Sequence, residues 1–324
     1  MDIEQKIKKN ISLKDFTSFK IGGKAKYFFK AENKEEIIEA IKWAQQKKLP
    51  FFVLGGGSNI LISDKKFKGL AIKIQDSRFK IQDSIIEAEA GVPLGKIVGI
   101  ALQQGLTGME WAMGIPGTVG GAIHGNAGAF GKSMADAVEE VEVCGAQPSK
   151  KLELSSGEGW APQTFKKDEC EFGYRDSIFK RNKNLIILSA KIKLQKGDKI
   201  EIEKKMADFF KIKKQTQPLE FFSAGSVFKN QELGIKNQEL LKRFPELKQF
   251  QDKNIIPSAW LIEKAGLKGK RIGGVEISRK HSNFIVSNGH GKARDVKKLI
   301  NLIKKTVKKK FGVDLEEEVQ LINF

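Results

Sequence analysis

The chain is poor in the residues that build cross-links and metal centres. Its 324 residues include two cysteines, Cys144 and Cys170, too few for a disulfide framework or a four-cysteine zinc site. Its three histidines, His124, His281 and His290, are scattered, and no metal centre is expected. No stretch approaches the roughly 18 consecutive apolar residues of a membrane span. The opening MDIEQKIKKNISLKDF lacks a continuous apolar segment, so no secretory signal is expected and the cytoplasm is the expected compartment.

Positive charge is what the chain has in excess. Lys+Arg number 58 against 39 Asp+Glu, a formal net charge of +19. With 40% hydrophobic and 30% charged residues, the composition is that of a folded globular protein, and the length points to two domains. Such a balance admits nucleic acid, an anionic membrane or an acidic small substrate as partner. The basic residues are dispersed, with a local peak in KARDVKKLINLIKKTVKKKFG. There Val296, Leu299, Ile300, Ile303, Val307 and Phe311 recur at helical spacing, which puts the lysines on a solvated face. No zinc-finger, homeodomain or RNP aromatic pattern accompanies them. A nucleic-acid-binding module is therefore the second reading.

The periodicities predict mixed helix and antiparallel strand, an α+β organisation rather than a strict βαβα alternation. Residues 35–48 read as an amphipathic helix ended by Pro50, and Pro93 to Leu106 as a shorter one. Phe51–Leu54 and Ile60–Ile62 read as two strands joined by Gly55, Gly56, Gly57, Ser58 and Asn59. Residues 71–91 alternate as hairpin strands do. Val138–Cys144 and Asn184–Lys193 form a strand pair. After a helix over 201–214, a second region carries a helix near Ser258–Ala265, strands at 273–277 and 283–286, the basic helix and a final strand, Glu318–Ile322.

Two glycine clusters point to chemistry. Three successive glycines followed by Ser58 and Asn59 can form a concave nest of backbone N–H groups for phosphate oxygens; the alternative is a plain turn. From Gly105 to Gly131 there are nine glycines in 27 residues. Within this stretch GNAGAFGKS imitates a phosphate-binding P-loop, but five residues separate Gly125 from Gly131 where that motif requires four. Nucleoside-triphosphate hydrolysis is rejected on that register. The better reading is a second wall of a dinucleotide site, with Ile115, Pro116, Gly117 and Thr118 as a turn and Gly120 and Gly121 for close approach. His124 is read as structural rather than as a covalent flavin attachment point. Arg175, beside Tyr174 among aromatics, suits a carboxylate or phosphate, or an ordinary salt bridge. Ser226, in SAGSVFKN, is a proton donor or a nucleophile lacking its usual partners. Glu318 lies in the closing LEEEVQLI.

Taken together, the motifs DFTSFKIGGKAKYF, VLGGGSNILI, GMEWAMGIPGTVGGAIHGNAGAFG, FGYRDSIFK, SAGSVFKN, AGLKGKRIGG, HSNFIVSNG and LEEEVQLI resemble the UDP-N-acetylenolpyruvoylglucosamine reductase family, from about Leu13 to Ile322. The resemblance implies an FAD-binding fold of the vanillyl-alcohol-oxidase type with two α+β subdomains, over residues 1–213 completed by 312–324. It also implies a smaller α+β substrate-binding domain, 214–311. It implies noncovalent FAD, held by Gly55–Asn59, Ile115–Thr118, Gly120 and Gly121, and NADPH as reductant. UDP-N-acetylglucosamine enolpyruvate would be reduced to UDP-N-acetylmuramate for peptidoglycan. Ser226 matches the proton donor, Arg175 and Glu318 the residues that polarise the substrate carboxylate, and Tyr174, Lys214 and Asn230 the substrate-binding positions. A hydride added to an unsaturated acid drives charge into its carboxylate, which a fixed cation stabilises. Glu318 would need to be protonated, or to share a proton, beside it. Phe222 and Gln231 stand where the family has proline, residues 231–257 are longer, and the extra tyrosine-bearing loop is absent. A monomer is expected. The alternative within this fold is an FAD-dependent sugar or alcohol oxidase.

Overall fold

The computed structural model describes residues 3–75, 78–145, 160–233 and 238–324. By packing, the chain divides into two compact units. The first comprises Met1–Ile11, Ala25–Gly56 and Phe67–Gln215; the second comprises Ser12–Lys24, Gly57–Lys66 and Thr216–Phe324. The segment 312–324 therefore packs with the C-terminal unit, together with two short stretches from the beginning of the chain.

The first unit is built on two sheets. One is four-stranded, in the order Lys8–Ser12, Lys24–Ala31, Phe67–Ile74, Phe51–Leu54, and its last three strands run parallel. The other is antiparallel and five-stranded, in the order Pro162–Lys166, Val138–Cys144, Ile186–Lys193, Ile85–Glu89, Phe79–Gln82. The expected hairpin over 71–91 is corrected here. Only Phe79–Gln82 and Ile85–Glu89 pair as a hairpin, whereas Ala71–Ile74 ends a central parallel strand of the other sheet. Leu70, Ala71 and Ile72 are all fully buried, so neighbouring side chains on both faces are covered, as in a parallel sheet. The helix Lys34–Gln46 begins where Asn33 accepts a hydrogen bond from the Glu36 N–H and Glu36 reaches back to the Glu32 N–H. It buries Ile37, Ala40, Ile41 and Ala44 in a core shared with Ile97, Val119 and Ile123.

The second unit packs around the basic helix, Ala293–Phe311. All six residues of the expected stripe are buried in one core with Leu261, Ile262, Ile277 and Phe228. At about 2 kcal/mol for each buried side chain, this stripe fixes which face turns inward and leaves the lysines outside. Asp64 caps the helix, its two carboxylate oxygens accepting from Ala293 N and Arg294 N at 2.9 Å each. Gly312 at φ +74° ends it. A three-stranded antiparallel ribbon, Arg271–Ile272, Val275–Ile277 and Ile285–Ser287, lies in the same unit, as does a parallel pair, Ile60–Ile62 with Gln320–Ile322. The two strands flanking the glycine triplet thus belong to different sheets. Of the longer segment 231–257, residues 234–237 lie outside the described residues. It opens and closes on a paired ribbon, Gln231–Glu232 with Ile255–Ile256. Among the described residues no helix is long and apolar enough to cross a membrane.

Candidate active site

In the first unit the two glycine clusters meet backbone to backbone. A Cβ on Gly55 would stand 2.6 Å from Thr118 Oγ1, and one on Gly56 2.5 Å from Gly117 Cα, so neither position admits a side chain without displacement. The Pro116–Gly117 turn is fastened on both sides. Gly117 O accepts from Leu94 N at 3.0 Å, Val119 N donates to Val92 O at 2.9 Å, and Gly120 N donates to Ala90 O at 2.9 Å. Upstream, Lys213 Nζ donates to Met113 O at 2.6 Å and to Trp111 O at 3.4 Å. Lys213 is buried, and desolvation pushes its pKa down to about 8. These residues fit FAD: glycine backbone, with the hydroxyl of Thr118, is the donor chemistry that a diphosphate takes.

The P-loop imitation is a hairpin. Gly128–Ala129 pairs antiparallel with Lys132–Ser133, and Phe130 (φ +53°) and Gly131 (φ +80°) make its two-residue turn. His124 is half-buried, its carbonyl accepts from Ser177 Oγ at 2.7 Å, and burial followed by the charge of Lys180 pushes its pKa down to about 4. It is a neutral imidazole at ordinary pH.

Tyr174 and Arg175 occupy the tip of a tight turn, in which Gly173 N donates to Asp176 O at 3.0 Å and Asp176 N to Gly173 O at 3.2 Å. Arg175 has φ +56°, the left-handed region, which costs a non-glycine residue about 1–2 kcal/mol. Its Nη2 donates to Gly128 O at 2.6 Å, and its own carbonyl accepts from Lys180 Nζ at 2.9 Å. Tyr174 is 55% exposed, with the guanidinium 5.4 Å from its ring centroid. Lys214 stands exposed on the helix Lys199–Thr216, a separate element from that turn.

In the second unit, Ser226 lies on an extended segment bridged to Phe284, and Val227 O accepts from Glu318 N at 2.8 Å. Serine and glutamate therefore ride on adjoining paired segments. Asn283 clamps the first of these: its Oδ1 accepts from Phe228 N at 3.0 Å and its Nδ2 donates to Phe228 O at 2.8 Å. Flanking Glu318, Glu317 receives Lys297 and Lys304, both at 3.2 Å, and Glu316 pairs with Lys229 at 2.6 Å. Gly57, at φ +64°, would set a Cβ against the Phe16 carbonyl oxygen. Asn59 joins the glutamate strand, its Nδ2 donating to Glu318 O at 3.3 Å and its carbonyl accepting from Gln320 N at 3.0 Å. Ser18 Oγ donates to Ser223 O at 2.7 Å, while Ser18 N donates to Gly57 O at 3.0 Å. Asn230 Oδ1 accepts from Ser258 N at 3.1 Å. Phe222, in place of the expected proline, donates its N–H to Ser287 O at 3.1 Å, a bond proline cannot make.

The structure thus brings Gly55 and Gly56 together with Ile115–Gly121 in one unit, and Gly57 and Asn59 with Ser226, Asn230 and Glu318 in the other. Ser18, Lys213 and Asn283, which brace these segments through main-chain bonds, escape sequence reasoning. Lys213 left a signal, because it falls on the buried stripe of its helix with Ile202 and Met206. Among the described residues no three of His, Cys, Asp or Glu group to hold a metal ion.

Residues 217–322 match the C-terminal domain of UDP-N-acetylenolpyruvoylglucosamine reductase, and residues 25–147 match an FAD binding domain. The UDP-N-acetylenolpyruvoylglucosamine reductase of Caldanaerobacter subterraneus subsp. tengcongensis is 41% identical over 98% of this chain and 94% of its own. Reductase 2 of Bacillus cereus is 39% identical over 98% of this chain and 93% of its own. The crystal structure of the Thermus caldophilus reductase superposes with a TM-score of 0.74 at 32% identity, covering 97% of this chain and 98% of that one.

Proposed function

The chain belongs to the UDP-N-acetylenolpyruvoylglucosamine reductase family, and from that we infer that Arg175, Ser226 and Glu318 carry its reaction. The enzyme is an FAD-dependent oxidoreductase that reduces UDP-N-acetylglucosamine enolpyruvate to UDP-N-acetylmuramate, a peptidoglycan precursor, with NADPH. Bound FAD supplies the hydride-transfer chemistry between NADPH and the enolpyruvyl group. Gly55–Asn59, Ile115–Thr118, Gly120 and Gly121 would hold it without a covalent link, through main chain and hydroxyls.

Arg175 fixes the substrate carboxylate. As hydride adds to the terminal methylene carbon, negative charge moves toward that carboxylate, and a guanidinium already in place needs no reorganisation to stabilise it. Ser226 Oγ gives its proton to the carbon bearing the carboxylate, a carbanion basic enough to take it. Glu318 polarises the same carboxylate, which it can approach only protonated or sharing a proton. Tyr174, Lys214 and Asn230 bind the nucleotide sugar, Lys214 suiting its diphosphate. In role, residues 1–213 with 312–324 serve the flavin and 214–311 the substrate, a division that differs from the one made by packing. The enzyme acts in the cytoplasm as a monomer.

The observation that carries this reading is the backbone bond from Glu318 to Val227, which sets glutamate and serine on adjoining segments. Purified protein is expected to be yellow, to bleach with NADPH under anaerobic conditions, and to recover its colour with the enolpyruvyl substrate. Ser226→Ala is expected to keep the bleaching and lose at least about a hundredfold in the recovery rate. Recovery at the normal rate would remove Ser226 from the reaction, and colourless protein after incubation with FAD would remove the flavin site. Light scattering of the same sample is expected to read one chain, 36.1 kDa.

A further inference from the structure

We propose that the GNAGAFG segment, residues 125–131, is the seat of the catalytic arginine, with Asn126 and Gly128 as positioning residues for Arg175. The inference rests on the reading of Arg175 as the partner of the substrate carboxylate. It assigns a role that is neither phosphate cradle nor dinucleotide wall. Asn126 is 5% exposed, and both ends of its amide are engaged within the protein. Its Nδ2 donates to Gly173 O at 2.8 Å, and its Oδ1 accepts from Ala135 N at 3.0 Å. Gly173 opens the turn that carries Arg175, so this side chain ties the base of that turn to the hairpin 47 residues earlier in the chain. Asn126 itself has φ +40°, a conformation that asparagine tolerates better than most residues.

Gly128 supplies the other end of the brace. Its carbonyl takes the Nη2 proton at 2.6 Å. That acceptor is neutral, so the bond aims the guanidinium plane while leaving its positive charge in place for a carboxylate. The absence of a side chain at 128 also makes room, because a Cβ there would stand 2.5 Å from Lys132 O and 3.1 Å from Arg175 Nη1. The strained backbone at Arg175 persists because these bonds over-determine it. A turn held at its base by Asn126 and at its tip by Gly128 gives the arginine one orientation before substrate arrives.

The test is made on the flavin-loaded enzyme with the two half-reactions measured separately. Asn126→Gly keeps access to positive φ and removes only the side chain. It is expected to hold its flavin and to be reduced by NADPH within about twofold of the normal rate, while reoxidation by the enolpyruvyl substrate loses about a hundredfold in kcat/KM, the loss typical of a misplaced group. Combined with Arg175→Ala, it is expected to be no slower than Arg175→Ala alone. Losses that multiply in the double variant, equal slowing of both half-reactions, or normal reoxidation in Asn126→Gly beside a slow Arg175→Ala would each overturn the proposal. Normal reoxidation in Arg175→Ala would remove the premise itself, and is distinguishable from those results. If Asn126→Gly does not yield folded flavoprotein, Asn126→Asp, which keeps the acceptor for Ala135 N and loses the donor to Gly173 O, carries the same comparison, with the same expected loss confined to reoxidation.

Discussion

Arg175 sits at a left-handed turn whose cationic donors end on neutral main-chain carbonyls, whereas Ser226 and Glu318 ride on bridged segments bordered by lysine–glutamate bridges. The first arrangement spends backbone strain to obtain one orientation and is held by short-range bonds that salt does not screen. The second obtains its register from isolated bridges and the Glu318 N–H to Val227 O bond, with charges added at its margin. The contrast teaches where each should fail. A turn fails by losing orientation, with the fold intact, whereas a ladder fails by losing stability.

The largest effect is expected from cutting the ladder's clamp. Asn283→Leu leaves the buried N–H and C=O of Phe228 without their partners, at about 1–3 kcal/mol each. Urea denaturation should show a loss of about 2–5 kcal/mol, and a loss below 1 kcal/mol would mean that the clamp is not structural. Next is Lys213, the buried cation that donates to Met113 O and Trp111 O. Its folded pKa, about 8, lies below the unfolded value of 10.5, so the unfolded chain binds more protons between these values and stability rises with pH across that window. Lys213→Met is expected to remove this rise, about 3 kcal/mol between pH 8 and 10.5, in paired denaturation series. Equal slopes for the two proteins would show that the lysine does not titrate there. The smallest effect belongs to the border of the ladder. Glu317→Gln breaks partly exposed bridges to Lys297 and Lys304 and should cost about 0.2–1 kcal/mol, shrinking as salt is added. A loss unchanged at high salt would count against the screened-pair account.

The features legible in the sequence were those written in local periodicity or in unusual residue density. The stripe from Val296 to Phe311 and the strand Val138–Cys144 were both visible in this way. The crowding of glycines at 55–57 and 114–121 announced close backbone approach, and Gly56 against Gly117 is that approach. Alternation misled at 71–74, because the polar residue Lys73 interrupts a strand whose neighbours are buried on both sides. The supports of the site were not legible. Asn126 meets Gly173 across 47 residues and Asn283 meets Phe228 across 55, and each bonds to main chain, which carries no signature in sequence. The proposal of Ser226, Arg175 and Glu318 as reacting groups comes from the resemblance, since spacing alone leaves each of them with an ordinary alternative.

The parallel pairing of Ile60–Ile62 with Gln320–Ile322 sets an order on biosynthesis. Early segments of the second unit, 12–24 and 57–66, emerge from the ribosome long before the strand they must join. The first unit can close around its own core while translation continues, since it needs nothing beyond Gln215. The second needs its strand Gln320–Ile322, so it closes later than the first. Glu318, four residues before the end of that strand, is thus placed after Arg175, whose turn lies in the first unit.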